Sequence, residues 1–501
     1  MDGPLDLLRW FYRLSLADRK ASGRSFSTAL LTQALASCSG VIKCTRIPKR
    51  LIWKDMGERL KERLHGLSAV LKARMQRLVL RFILVLRLSR TAFGRYRLRI
   101  SAYARFPGFV WVLAILYRRT LIRRVRLVVV VGSFGKTTTT RAIGAALGVR
   151  SPSCRVGNSG VALADALLRI RPGDRYAVVE VGIGGKGRME VYARRLRADI
   201  AVVTCIGSEH LTSFGTLEVT RSEKAKMVAS IKGSGRIVLN GDDPNVMWME
   251  DSARVSVVTY GFNPTNRVRA SRVIDHERTG VRFTLHLDKE TREVSTRLLG
   301  KHQVAAGLAA MAIAQAEGLD THRSLSALEA LEPTLNRLQP ICHPSGAWVL
   351  LDAFKGALET IDAALATLSR LPARRKVVVL GDVEEPPGSQ GPIYKALGLR
   401  LADTCDRVLF VGGKTNLARL RTGTRAGGLP NDAVTNIRTN PRAILEELKP
   451  ELRPSTTILI KGRSTQHLER VALLLSGESV ACSRERCAWR HACSVCPLRG
   501  D

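Results

Sequence analysis

The residues Gly132-Ser133-Phe134-Gly135-Lys136-Thr137, followed by Thr138, Thr139 and Thr140, have the types and spacing to cradle phosphate. They follow the apolar run Leu127-Val-Val-Val-Val131 and precede the helix-forming stretch Arg141-Ala-Ile-Gly-Ala-Ala-Leu147. Strand, glycine turn and helix in that order aim backbone N–H groups and a helix N-terminus at phosphate oxygens. Lys136 would reach the outer phosphates and the Thr137 hydroxyl would bind Mg²⁺. Val130 stands where the longer eight-residue phosphate loop has a glycine, so the loop is of the short Gly-x-x-Gly-Lys-Thr form. The bland alternative is a glycine turn with a chance Lys-Thr.

Two further polar groups fall where a parallel sheet would present them. Glu180 closes the apolar run Tyr176-Ala-Val-Val-Glu-Val181, and His210 follows the run Asp199-Ile-Ala-Val-Val-Thr204 through Ile206-Gly-Ser-Glu-His. Open α/β sheets bind ligands at the carboxyl ends of their strands. A hydroxyl, a carboxylate and an imidazole there suit Mg²⁺, and the imidazole would also admit Mn²⁺. Taken singly, Glu180 reads as a helix-capping acid and His210 as a loop histidine.

The elements that must position these groups are legible as apolar runs. Gly235-Arg-Ile-Val-Leu-Asn240 continues the first series. A second αβ unit has runs at Trp348–Leu351, Lys376–Leu380, Arg407–Val411 and Thr457–Ile460. The expected fold is α/β: a central phosphate-loop ATPase domain with a mostly parallel sheet over 121–325, and a Rossmann-like domain over 326–475. Residues 61–120 alternate Leu/Val/Ile clusters with Arg, as in Leu71 to Arg87, and read as basic amphipathic helices. Such helices either lie on anionic lipid head groups or pack on the next domain with solvated arginines. Residues 1–60 define no element, and 476–501 form a Cys-rich tail.

Composition narrows the partners. The net charge is +37, and no Asp or Glu occurs between Glu62 and Asp165. Such a charge favours nucleic acid, anionic lipid or anionic substrate and says nothing about fold. Interleaved aromatic stacking platforms are missing from the basic region, so nucleic acid is the weakest of the three. Six of the ten cysteines (Cys38, Cys44, Cys154, Cys205, Cys342, Cys405) show no spacing pattern, which fits a reducing compartment. The start lacks a basic segment followed by an apolar one, and the apolar stretch Phe106 to Tyr117 is too short to span a bilayer. The expectation is a cytoplasmic protein, peripheral to the inner face of the membrane if the basic helices bind lipid.

The motifs together resemble the Mur ligase family, ATP-dependent amide-forming enzymes that include the folylpolyglutamate synthases. The resemblance rests on Gly132-Ser-Phe-Gly-Lys-Thr-Thr-Thr, Val179-Glu-Val-Gly, and Thr204-Cys-Ile-Gly-Ser-Glu-His-Leu-Thr-Ser-Phe-Gly. It continues through Ser222-Glu-Lys-Ala-Lys, Leu239-Asn-Gly-Asp-Asp-Pro and Gly300-Lys-His302-Gln-Val-Ala-Ala-Gly. The last matches are Leu335-Asn-Arg-Leu, Leu380-Gly-Asp-Val-Glu-Glu and Ile460-Lys-Gly-Arg-Ser.

The resemblance implies ATP and Mg²⁺ as cofactors. It implies Lys136 on the outer phosphates, Thr137, Glu180 and His210 around Mg²⁺, and a C-terminal domain that closes over the nucleotide. Gly132, Ser133, Gly135, Thr138, Asn240, His302, Arg337 and Asp352 would contact ATP, with Asp242 and Asp243 near it. Asp-Asp-Pro also reads as a turn before a helix. Lys224 matches a lysine carbamylated in several members; that chemistry needs a neutral amine, hence burial, and an ordinary surface lysine is the alternative.

The chain departs from the family in four places. The amino-terminal domain that holds the UDP-sugar has no visible counterpart. Gln303 and Ala306 replace an Asn-x-x-Asn. The acceptor segment reads Leu351-Asp-Ala-Phe-Lys-Gly-Ala-Leu, with Asp352 retained and its asparagines gone. Tyr394 stands where a histidine is expected.

The expected activity is ADP-forming ligation of a small-molecule carboxylate to an amine through an acyl phosphate, in cell-wall peptide or related biosynthesis. The rival is a nucleotide-binding relative without ligase chemistry, acting at a membrane surface or with a partner. The tail thiols Cys482, Cys487, Cys493 and Cys496 leave three readings: a Zn²⁺ site, an iron–sulfur cluster, or no metal.

Overall fold

A computed structural model describes residues 85–86, 88–149, 158–276, 280–288, 290–482, 487 and 492–496. The chain divides into two units, Met1–Leu84 and Val85–Asp501, and the second carries everything that follows. Residues 1–60 and nearly all of the Leu71–Arg87 run lie outside the described residues.

The central domain is built on an eight-stranded sheet. In chain order its strands are β1 (Arg126–Val131), β2 (Tyr176–Glu180), β3 (Ile200–Val203), β4 (Arg236–Asn240), β5 (Val257–Gly261), β6 (Val268–His276), β7 (Gly280–Leu287) and β8 (Glu290–Thr296). Their order in space is β2-β1-β3-β4-β5-β6-β7-β8. The first six are parallel; β7 and β8 add antiparallel.

Side chains alternate across a strand, so β1 feeds two cores. Leu127, Val129 and Val131 pack with Val110, Trp111, Leu163, Met189 and Met227 from helices on one face. Val128 and Val130 pack with Ile143, Leu308 and Met311 from helices Lys136–Ala146 and Lys301–Ala316 on the other. Burial on both faces is why these strands read as unbroken apolar runs. The β6–β8 meander was not legible that way. Its strands alternate Arg, Asp and Glu with apolar residues, and β8 is largely exposed.

The helix Pro107–Arg119 uses both its faces. Val110, Trp111 and Ala114 enter the core, while Phe106, Phe109, Val112, Leu113 and Leu116 stay exposed. Buried Arg118 anchors it, donating to Leu196 O, Ile122 O, Val125 O, Arg197 O and Asp199.

The C-terminal domain has six strands: β9 (Gln339–Cys342), β10 (Trp348–Asp352), β11 (Arg375–Gly381), β12 (Arg407–Val411), β13 (Val434–Asn436) and β14 (Thr456–Lys461). Their order is β13-β12-β11-β14-β10-β9, all parallel except β9. Helices cover both faces of this Rossmann-like sheet.

Candidate active site

The phosphate loop leaves β1 between its neighbours β2 and β3, the crevice where an open α/β sheet takes its ligands. Gly132 has φ 144° and a Cβ there would lie 1.9 Å from Thr204 Oγ1, so only glycine fits. Gly135, at φ 79°, turns the chain into the helix that Lys136 begins. The loop is braced from β3: Ser133 N donates to Cys205 O (2.7 Å), and Thr204 Oγ1 to Phe134 O (2.6 Å).

The Thr137 hydroxyl donates to Glu180 Oε2 at 2.8 Å, and Asn158 Nδ2 to Glu180 Oε1 at 2.6 Å. Glu180 is thus a buried carboxylate on the next strand from the loop. His210 sits at φ 62°, with Nδ1 3.9 Å from Glu385 Oε1. Burial lowers its pKa despite Glu209, which favours the neutral, ligating imidazole. Thr137, Glu180 and His210 line one cavity of about 1640 Å³. A hydroxyl, a carboxylate and a neutral imidazole fit a hard divalent cation.

Lys136 lies in that cavity with its ammonium tied down. It donates to Gly132 O (2.8 Å), Ser133 O (2.7 Å) and Glu209 Oε2 (3.0 Å). Burial opposes its charge, but Glu209 and Glu180 outweigh burial and raise its pKa. Glu209 also pairs with Lys355 of the C-terminal domain. Burial would raise the Glu209 carboxyl, yet Lys136, Lys355 and Lys224 hold it well below the usual carboxylate range. Glu209 stands beside His210 in a segment already singled out. Its role was missed because nothing in the sequence brings Lys355 to it.

Lys224 is 4% exposed and donates to Ser133 Oγ at 2.8 Å. Burial, reinforced by Lys136, lowers its pKa to about 7 against the pull of Glu209. Its neighbour Lys226 instead pairs with Glu223 and is partly exposed.

The C-terminal domain closes the cavity. Asp352 and Lys461 form a buried pair at 2.7 Å, and Lys461 also donates to Lys355 O. The Arg337 guanidinium lies 4.0 Å over the Phe354 ring. Ser208 donates through both N and Oγ to Glu359, at 2.7 Å each. Gln303 Nε2 donates to Arg337 O at 3.1 Å, while its buried Oε1 has no partner among the described residues. His302, Asn240 and Asp242 also line the cavity. Asn240 and the two aspartates have structural work as well. Asn240 donates to Thr204 O, Asp242 accepts from Phe262 N and Asn263 N, and Asp243 caps the helix Pro244–Met247.

Two further sequence features lie away from this cluster. Tyr394 is buried in the C-terminal core, its hydroxyl accepting from Val383 N and donating to Asp382 Oδ1. Among the described residues the four tail thiols do not gather as one set; Cys493 lies instead with His467 and Glu469.

Residues 130–314 match the Mur ligase middle domain, and 336–464 the Mur ligase glutamate ligase domain. The chain is 27% identical over 354 residues to the UDP-N-acetylmuramoyl-tripeptide–D-alanyl-D-alanine ligase of Bacillus subtilis, covering 69% of this chain and 75% of that one. It is 30% identical over 367 residues to the ligase of the same name from Mycobacterium bovis, covering 68% and 71%. The motifs point to this same branch of the family.

In fold it is similar to MurF from Acinetobacter baumannii, with a TM-score of 0.64 at 22% identity over 74% of this chain and 81% of that one. The MurF ligase of Thermotoga maritima in complex with ADP gives 0.65 at 18% identity, over 74% and 84%. These relatives favour ligase chemistry over a nucleotide-binding module without it. With both domains matched, and 30% identity across most of each chain, this protein belongs to the Mur ligase family of ATP-dependent amide ligases.

Proposed function

We propose that the cavity joins a peptide-like carboxylate to an amine at the expense of ATP, in cell-wall peptide or closely related biosynthesis. The observation that carries this reading is the convergence of Lys136, Thr137, Glu180 and His210 with Arg337 and the Asp352–Lys461 pair around one cavity. Thr137, Glu180 and His210 would hold Mg²⁺, which when bound neutralises charge on the transferring phosphoryl group.

A substrate carboxylate oxygen attacks the γ-phosphorus. The β,γ-bridging P–O bond breaks, ADP leaves, and an acyl phosphate remains. Lys136 balances the outer-phosphate charge as that bond breaks, turning from Glu209 to the triphosphate. An amine nitrogen then adds to the acyl carbon, phosphate departs and the nitrogen gives up a proton. The positioned cationic groups Lys136, Arg337 and Lys355 act mainly by stabilising negative charge. Gln303, on the cavity wall where the family has an asparagine, is the residue we assign to the adenine contact. Lys224, with a pKa near neutrality, is the amine we assign to carbamylation. No step requires the tail thiols.

The relatives act on a UDP-N-acetylmuramoyl-tripeptide and D-alanyl-D-alanine by name. We propose a carboxylate and an amine of that general kind here. Lys355, in the altered acceptor segment, pairs with Glu209, and the loss of the family's asparagines there supports an acceptor that differs from theirs in detail. A matrix of muramoyl-peptide acids against amino-acid and dipeptide amines, read by phosphate release, tests this. Release that needs both partners supports the reading; ATP hydrolysis indifferent to either overturns it.

A membrane contact is proposed for the exposed face of the helix Pro107–Arg119. Phe106, Phe109, Val112, Leu116 and Leu121 are more than half exposed beside Arg119, Arg123 and Arg124. No single helix among the described residues is long and apolar enough to cross a membrane. The bent pair Ala92–Tyr103 and Pro107–Arg119 meets that test only jointly, at 106°. An amphipathic face with flanking arginines suits anionic head groups. Sedimentation with phosphatidylglycerol vesicles at ~0.15 M salt should be lost on Phe109→Asp with Leu116→Asp. Equal sedimentation with neutral phosphatidylcholine vesicles, or no loss in the double variant, would refute the contact.

A further inference from the structure

His467 and Glu469 are almost fully buried, at 2% and 3% exposure, below the cysteine tail. His467 Nδ1 lies 3.0 Å from Glu469 Oε1 and 3.4 Å from Cys493 Sγ, and the three ligand atoms fall within 4.8 Å of one another. Ligands at zinc distances of ~2.0–2.3 Å on a tetrahedron stand roughly 3.3–3.7 Å apart, so the observed spacing is close to that of a metal's coordination shell. A buried polar atom there, Glu469 Oε2, has no hydrogen-bond partner among the described residues. A buried carboxylate oxygen without a donor is costly unless a cation meets it. His467 is held at φ 50°, a conformation that a non-glycine residue keeps only when its surroundings impose it.

The surrounding chain is arranged to bring these groups together. Glu469 opens the helix Glu469–Leu475, and its Oε1 also accepts from Cys493 N at 3.1 Å. Arg470 on the same helix donates to Cys482 O, where the tail departs. Cys493 begins a 3₁₀ turn that ends at Cys496, a Cys-x-x-Cys spacing that puts a second thiol one turn away. Ala492, Ser494, Val495 and Cys496 line the nucleotide cavity.

We propose that His467, Glu469 and Cys493 bind one structural Zn²⁺ that fastens the tail to the rim of the nucleotide cavity. A thiolate, an imidazole and a carboxylate together suit a borderline cation such as Zn²⁺. Mg²⁺ and Ca²⁺ prefer oxygen throughout. Iron–sulfur clusters are held mainly by thiolates, and here an imidazole and a carboxylate replace two of them. The assignment differs from a four-cysteine site in taking two ligands from the folded domain, and it is independent of the ligation chemistry.

Elemental analysis of the full chain, purified without chelator, tests it. The expected result is about one zinc per chain, retained in Lys136→Ala and lost in His467→Ala and Cys493→Ser. If those two variants do not fold, X-ray absorption at the zinc edge of the parent decides. Mixed sulfur and nitrogen/oxygen ligation, with sulfur at ~2.3 Å, is expected. A parent free of zinc, four-sulfur ligation, or iron with acid-labile sulfide would overturn the proposal.

Discussion

On the central-domain side of the cavity, Lys136, Thr137, Glu180 and Lys224 hang from strand ends and a braced loop whose backbone leaves few options. On the C-terminal side, Asp352 ends β10, and Phe354, Lys355, Glu384 and Glu385 stand on the loops that follow β10 and β11. The first wall keeps the family's phosphate-loop residues, with Gln303 and Ala306 in place of an Asn-x-x-Asn, and the second has lost the asparagines of its acceptor segment. The contrast follows from the ligands. In the proposed chemistry the first wall meets the triphosphate and the divalent cation, and the second meets the amine. Glu209 joins the walls, holding Lys136 on one side and Lys355 on the other.

If the phosphate wall carries the chemistry, Lys136→Ala should have the largest effect. ADP formation should fall by roughly 10²–10³-fold or more, with a loss of thermal stability beside it, since buried Glu209 loses one of its two cationic partners. A variant near parental rate would break the contrast from the catalytic side.

Lys224 sharpens it through pH. Its folded-state pKa is lowered to about 7, while an unfolded lysine keeps its proton to about 10.4. The unfolded chain therefore binds more protons across that window, and this group makes stability rise with pH from about 7 to 10.4. Lys224→Met removes the burden of a buried ammonium, so its melting temperature should exceed the parent's most at pH 6 and less at pH 9. Its turnover should nonetheless fall, by roughly 10²-fold, and parental activity should decline in CO₂-depleted buffer. A variant that gains no stability at pH 6 would mean Lys224 is not buried as described.

Glu209→Gln tests the joint between the walls. It leaves Lys136 and Lys355 without their carboxylate, a loss of about 3–5 kcal/mol for a broken buried pair. MgATP should restore part of that, because the triphosphate supplies the missing charge. Denaturant unfolding with and without nucleotide measures both, and an unchanged parent-like midpoint without nucleotide would remove the latch from the account. The smallest effect is expected away from the cavity. Tyr394→Phe leaves Val383 N–H without its acceptor, costing about 1–3 kcal/mol, with turnover unchanged.

The phosphate wall was legible in the sequence because its geometry is local. A β-branched run ending in Gly-x-x-Gly-Lys-Thr fixes strand, loop and helix together, and Glu180 and His210 follow as the ends of neighbouring runs. Residues that act across the chain gave no such signal. Glu209 with Lys355 and Ser208 with Glu359 meet only because the domains close, and no local pattern encodes that. The β6–β8 meander was hidden for another reason: one of its faces is solvated, so charge interrupts the apolar pattern. Tyr394, where the family expects a histidine, is a core residue whose ring packs edge-on against Phe410. The tail thiols suggested a set of four, where folding pairs Cys493 with two residues from the KGRS loop and the following helix.

The central claim is that one cavity uses ATP to activate a carboxylate before any amine arrives. Positional isotope exchange in ATP labelled at the β,γ-bridging oxygen, with Mg²⁺ and a muramoyl-peptide acid but no amine, tests it directly. Scrambling of the label that depends on the acid and vanishes in Lys136→Ala is the predicted result. Turnover of acid and amine to product by a chain that never scrambles the label, or scrambling that persists without the acid, would contradict it.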